Sequence, residues 1–152
     1  MQLLTNATTT IVTVQAPRRL GFVDLTPHLE REAAQLGGRD GFAIAFARHT
    51  TCALVINELE DGAQTDFAAR IENLFPVAAY YAHDDLSIRT QNLQPGERAN
   101  GHAHVAQMLI GGTSHTIPIA GGAPLLGTWQ RLLLVELDEP KPREVVLQVY
   151  GG

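Results

Sequence analysis

The period of the hydrophobic positions changes several times along the chain. From Thr8 to Val14 the run TTTIVTV roughly alternates and is rich in β-branched residues, whose stiff χ1 and fit to a pleated face predict a strand. Pro17 and Gly21 mark turns around it. Thr26-Pro27 has the form of an N-cap and first helical position, Leu29, Ala33 and Leu36 share one face, and Gly37-Gly38 stop the helix. Phe42 to Ala47 and Ala53 to Ile56 are apolar runs of strand length, with Arg48-His49-Thr50-Thr51-Cys52 between them. They predict two buried strands with polar residues at their junction.

From Asp61 onward Ala63, Phe67, Ile71 and Leu74 recur at helical spacing, and Pro76 closes the segment. Ala79 to Gly101 loses all periodicity, and long ordered loops in compact domains are usually functional. Ala103, Ala106 and Ile110, with Val105 and Leu109 on an adjacent face, predict a third short helix ended by Gly111-Gly112. His115 to Ile119, Leu132 to Leu137 and Val145 to Val149 predict three more strands, with the Gly121 to Pro124 cluster between the first two. This order lacks a regular βα alternation. It predicts one compact α+β domain over residues 1–152, with a mixed or antiparallel sheet-rich core and two to three short helices.

Composition narrows the function classes. A chain of 152 residues can bury a core without disulfides. Charged residues are 18% of it, below the roughly 25% typical of soluble domains, which points toward self-association. The formal net charge is -5 and no basic run occurs, so the footprint expected for nucleic acid is missing. The lone Cys52 excludes an intrachain disulfide and a multi-cysteine zinc site. No stretch reaches membrane-span length, and Met1 to Thr10 does not have the pattern of a targeting segment. A cytoplasmic protein without a membrane partner is expected.

Six histidines carry the candidate chemistry. His28, beside Glu30 and Arg31 on the first helix, reads as a surface residue. His49 follows an apolar strand and is trailed by the hydroxyls of Thr50 and Thr51; a strand-end site and a core histidine bonded to a carbonyl weigh equally there. In His83-Asp84-Asp85 a carboxylate can orient an imidazole, against the plainer reading of a solvated acidic loop. His102 and His104 would point roughly 200° apart on a helix, so only one of them is expected to matter. Glu58, with Asn57, follows a buried strand, whereas Asp61 and Asp66 fall in the first turns of a helix, whose dipole already accounts for Asp61. Gly127-Thr128-Trp129-Gln130 holds the only tryptophan, for which packing is the plainer role. No nucleotide-binding glycine motif, GxSxG or HExxH is present.

Taken together, HTTCALVINELED at His49 to Asp61, YAHDD at Tyr81 to Asp85, NGHAH at Asn100 to His104 and SHTIPIAGGAPLLGTWQRLLLVELD at Ser114 to Asp138 resemble the YjbQ-like family, often labelled secondary thiamine-phosphate synthase. The resemblance spans nearly the whole chain, and the segment with Gly127-Thr128-Trp129-Gln130 is its most distinctive part. It implies an α+β subunit that assembles as a homotrimer with polar pockets near the subunit interfaces. Three family histidines map onto His49, His83 and His104, while His102 stands where relatives commonly carry Asp or Ser and leaves a shifted ligand set open. Cys52 and the terminal Tyr150-Gly151-Gly152 depart from the family pattern without touching those histidines.

Three neutral imidazoles and a water would form an open metal site, for zinc first and for magnesium or manganese otherwise. Asp84, Glu58 or Asp61 would then orient ligands or accept a proton. The expected site therefore has His49, Glu58 and Asp84 in catalysis, His49, His83 and His104 on the metal, and Arg48, Thr50, Thr51, Asn57, Asp61, Thr128, Trp129 and Gln130 around a small, phosphorylated substrate. The family label implies joining a pyrimidine pyrophosphate to a thiazole phosphate with release of pyrophosphate. Stabilising that leaving group needs cations, and Arg48, Arg89, Arg98, Arg131 and a divalent ion are the available sources. That supply is thin, which keeps two alternatives open: a metal-dependent hydrolase of a small phosphorylated or cyclic compound, and a non-catalytic trimer binding a ligand or metal. An enzyme loses turnover with His49→Ala while staying folded; a binding module loses only affinity.

Overall fold

The computed structural model describes residues 6–152; of the amino-terminal stretch considered above, Met1 to Thr5 lie outside them. Eight strands and three helices follow in the order β1 (Asn6–Val14), β2 (Phe22–Asp24), α1 (Thr26–Ala34), β3 (Gly41–Ala47), β4 (Cys52–Asn57), α2 (Asp61–Leu74), α3 (Gly101–Ile110), β5 (Ser114–Ala120), β6 (Ala123–Pro124), β7 (Arg131–Glu136) and β8 (Arg143–Gly151). One sheet has five strands in the order β1-β8-β3-β5-β6 and the other three, β2-β7-β4. Every pairing is antiparallel. The α+β expectation holds, with the core built from antiparallel sheets. The two adjacent apolar runs do not form a hairpin: β3 lies in the large sheet and β4 in the small one.

Alternation in β8 puts Val145, Leu147 and Val149 on one face, where they meet Val12, Ala43, Ala45, Ala47, Ile117 and Ile119 of the same sheet. Leu54, Leu132 and Leu134 of the small sheet and Leu25, Leu29, Ala33 and Leu36 of the α1 segment close this core. Ala53, Val135 and Leu137 face the other way and pack with Ile71 and Phe75 at the end of α2 and with Ala103 and Ala106 of α3. The small sheet is thus sandwiched, which explains why β7 reads LLLV without alternation.

Three local expectations shift. Thr26 is inside α1 instead of capping it, because its hydroxyl accepts the Leu132 N–H at 2.9 Å and ties the helix to β7. Glu60, not singled out from the sequence, caps α2 by accepting from Gly62 N and Ala63 N, both at 2.8 Å. Leu74 and Leu109 are about 67% and 70% exposed; Phe75 and Ala103 take the inward positions on their segments. Gly111, at φ 98°, ends α3 in the left-handed conformation that a side chain disfavours.

Candidate functional site

The irregular stretch between α2 and α3 folds back over the start of α3, and Asp84 is what fastens it. Its Oδ1 accepts the Asn100 and Gly101 backbone N–H groups at 3.0 and 2.9 Å, satisfying two of the donors left open at a helix N-terminus. The same oxygen lies 2.9 Å from Nδ1 of His83. An ionised carboxylate only accepts, so Nδ1 carries the proton that faces it and Nε2 is the ring nitrogen turned away from Asp84. Burial works against the Asp84 charge, but the hydrogen bonds from His83, Gly101 and Asn100 prevail and hold its pKa below the ordinary carboxylate value.

His104 completes this arrangement. Its ring centroid is 4.4 Å from that of His83, with the planes tilted by 38°. Burial first, then the neighbouring His83 and Arg89, push the His104 pKa below the usual imidazole value, so the ring is neutral at pH 7. Both rings open onto a cavity of about 480 Å³ that is also lined by Thr50, Arg89, Gln91, Asn92 and Glu97. Arg89 pairs with Glu97 at 2.6 Å and donates to the His83 carbonyl at 3.0 Å, bracing the loop from inside. Gln91, Asn92 and Glu97 lie in the aperiodic stretch, where only the long-loop signal pointed to them.

His102 and His104 separate as helical geometry requires. His102 is 5% exposed and turns inward, its ring 6.3 Å from that of Tyr81 in an edge-on arrangement. His104 therefore enters the cavity and His102 does not.

Of the expected metal set, the structure unites His83 and His104 but engages His49 elsewhere. His49 Nε2 accepts the Glu144 N–H at 2.8 Å, which fixes its proton on Nδ1 and ties the end of β3 to β8. Burial, then Arg143, lowers its pKa and keeps it neutral. Among the described residues no group of three or more His, Cys, Asp or Glu is arranged to hold a metal ion. Two imidazoles fall short of the three protein ligands of catalytic zinc sites, so one chain does not by itself supply the expected donor set.

The remaining candidates divide between structural roles and a second cavity. Thr51 is buried, and its hydroxyl and carbonyl accept from Arg143 at 3.0 and 3.2 Å. Arg48 pairs with Glu144 at 2.9 Å on the surface. Asn57 accepts the Glu58 N–H at 2.8 Å and lines a smaller hollow with Glu58, Ala63 and Phe67. Asp61 begins α2, where the helix dipole accounts for it. Gln130 closes the turn after β6, its Oε1 accepting the Gly127 N–H at 2.8 Å.

Glu58, Thr128 and Trp129 share a cavity of about 430 Å³ with Asp24, Leu59, Glu60 and Arg131. The expectation that Glu58 works beside the histidines does not hold within one chain. Glu58 and Thr50 flank opposite ends of β4, six residues that span about 20 Å at the strand rise. Arg131, counted above as a source of positive charge, is neutralised by Asp24 at 2.6 Å, and Arg98 is paired with Glu139. None of the helices is long and apolar enough to cross a membrane, among the described residues.

Comparison with other proteins extends the likeness over almost the whole chain. The family model described as UPF0047 protein YjbQ-like matches residues 10–152. A UPF0047 protein of Archaeoglobus fulgidus is 35% identical over 137 residues, covering 90% of this chain and 97% of the relative. A UPF0047 protein of Methanothermobacter thermautotrophicus is 32% identical, covering 91% and 88%. Among solved structures, a YbjQ-like protein of unknown function from Sulfolobus solfataricus superposes with a TM-score of 0.83 at 26% identity, covering 97% of this chain and 99% of that one. A hypothetical protein from Aeropyrum pernix gives a TM-score of 0.81 at 34% identity, covering 95% and 99%. With the model match and these relatives spanning both sheets and all three helices, the chain belongs to the YjbQ-like UPF0047 family.

Proposed function

We propose that this protein is an enzyme that performs acid–base chemistry on a small phosphorylated substrate bound between His83 and His104. The observation that carries this reading is the Asp84–His83 contact at 2.9 Å, with its carboxylate anchored on two helix amides. Asp84 holds the His83 ring in one tautomer and stabilises the imidazolium that forms when Nε2 takes a proton. Neutral His104 is the second proton-handling group, and Arg89 and the Thr50 hydroxyl are the donors for an anionic substituent. Joining a pyrimidine pyrophosphate to a thiazole phosphate is the first reaction to assay, since the family label implies it. Arg89 is the one arginine on this cavity and already pairs with Glu97, which favours substrates with a single phosphate over reactions that expel pyrophosphate.

The test is turnover by the wild-type protein and by His83→Ala, His104→Ala and Asp84→Asn, each checked for folding by circular dichroism. Thiamine-phosphate formation and hydrolysis of small phosphorylated and cyclic compounds are assayed in parallel. Loss of turnover by about 10²-fold or more in each variant supports the reading; unaltered turnover in His83→Ala sinks it. A second reading rests on the proximity of the two imidazoles: a divalent ion, zinc first, held by His83 and His104 together with a ligand from another copy in a homotrimer. Metal content per subunit of tag-free protein, measured with and without His104→Ala, decides it.

A further inference from the structure

The cavity at the far end of β4 has a chemistry opposite to that of the histidine pocket. Its walls carry Asp24, Glu58 and Glu60 against Arg131 alone, three carboxylates to one guanidinium and a net charge of -2. Most of these charges are already engaged. Asp24 Oδ2 accepts from Arg131 Nε and Nη2 at 3.1 and 2.6 Å, and Asp24 Oδ1 accepts the Thr26 N–H. Glu60 spends both oxygens on the α2 cap. Glu58 is the exception: its backbone N–H is bonded to Asn57, and among the described residues its carboxylate has neither a hydrogen bond nor an ion pair.

Over the same cavity stands Trp129, 71% exposed. Its exposure is built in. The Gly127–Gln130 turn is closed twice, by Gln130 N–H to the Gly127 carbonyl at 2.9 Å and by Gly127 N–H to Gln130 Oε1 at 2.8 Å. A Cβ at Gly127 would stand 3.3 Å from that Oε1, closer than most side chains tolerate. The turn therefore presents the indole on a preformed support instead of folding it into the core.

A cavity lined by an exposed indole on a hydrogen-bonded turn, an apolar Leu59 and one unengaged carboxylate repels phosphate and attracts a flat or compact cation, through the ring quadrupole and the Glu58 charge together. We infer that the cavity between Trp129 and Glu58 is a binding site for a small organic cation, a quaternary ammonium or a cationic heteroaromatic ring. This site is independent of the acid–base reading of the histidine pocket, which lies at the other end of β4.

The chain has a single tryptophan, so the indole N–H of uniformly ¹⁵N-labelled protein gives one cross-peak that reports on this site. Titration with tetramethylammonium and with N-methylpyridinium is expected to move that peak saturably. The neutral analogues tert-butanol and benzyl alcohol, and inorganic phosphate, leave it in place. Glu58→Gln is expected to weaken binding by roughly fivefold to thirtyfold while keeping the reporter. Trp129→Leu, followed by calorimetry, is expected to abolish binding. Equal response to the neutral compounds, a linear non-saturating response, or unchanged affinity in Glu58→Gln overturns the proposal. So does a peak that moves with protein concentration and not with the cations, which would assign the Trp129 face to contacts between copies.

Discussion

Oδ1 of Asp84 lies 2.9 Å from the backbone nitrogen of Gly101, so the residue that orients His83 also starts α3. A side chain at position 101 is excluded, since its Cβ would stand 2.5 Å from Cβ of Tyr81 and 3.2 Å from Oδ2 of Asp84. The helix that carries His104 and the loop that carries His83 are therefore set by one carboxylate.

Asp84→Ala should show both roles at once. Losing a helix-capping carboxylate costs about 0.5–2 kcal/mol, read as a lowered midpoint in urea, and turnover should fall with it. Asp84→Asn keeps an acceptor for the two amides and should retain most of the stability while losing the charge that supports an imidazolium at His83. Equal destabilisation by both variants would show that the charge, and not the acceptor geometry, holds the loop.

Acid should loosen the fold in a specific window. His49, His102 and His104 all have pKa values depressed by burial first, aided by Arg143, Arg19 and His83 respectively. A depressed histidine pKa means that the unfolded chain binds protons more readily. The stability contributed by the neutral rings is thus complete above the ordinary value of about 6.5 and is lost as pH falls through the folded values. For His102 the opposing carboxylates are Asp138, Asp84 and Glu72, and its buried Nε2 has no hydrogen-bond partner among the described residues. His102→Phe should flatten the fall of Tm between pH 7 and 5. A slope identical to wild type would show that this ring does not take up a proton on unfolding.

The ion pair of Arg143 and Glu136 lies in the interior, with side chains 3% and 0% exposed. Arg143 donates to both Glu136 oxygens at 2.7 and 2.5 Å and to Thr51, locking the His49-Thr50-Thr51 corner against β7. Arg143→Met should destabilise the protein by about 3–5 kcal/mol, because it strands a buried carboxylate. Adding Glu136→Leu should recover much of that loss, which denaturant titration of the two single variants and the double variant measures.

Cys52 should be inert in the native state. Burial raises its thiol pKa to about 11, so thiolate is scarce at neutral pH. Iodoacetamide at pH 8 should leave it unmodified in the folded protein and alkylate it in denaturant, as mass spectrometry would show; rapid native labelling would mean that β4 opens.

Much of the architecture was legible because burial imposes a period. β1, β3, β4, β5, β7 and β8 appear as alternating or continuous apolar runs, and the three helices as recurring apolar positions. β2 and β6, of three and two residues, were not legible. They are too short to show a period, and Gly21 and the Gly121 to Pro124 cluster read as turns. Leu74 and Leu109 misled for a different reason: helical spacing identifies a stripe, but which edge of it is covered depends on what packs there. At the site, His83, Asp84 and His104 were visible as chemical types, and the helical angle alone predicted that His102 and His104 would part.

Residue type and spacing therefore suffice for the α+β class, for the order of the main elements, and for the histidines and carboxylates with chemistry to offer, because these follow from local periodicity and side-chain chemistry. Which of those groups meet was decided only in three dimensions. β3 and β4 are neighbours in the chain but enter different sheets, and the length of β4 holds Glu58 and Trp129 away from the Thr50 end. The backbone of β8 claims His49 through the Glu144 amide, whereas His83 and His104, 21 positions apart in sequence, are brought into contact because Asp84 bonds the loop to the first turn of α3. Such contacts join distant segments, and no local pattern encodes which segments will pair.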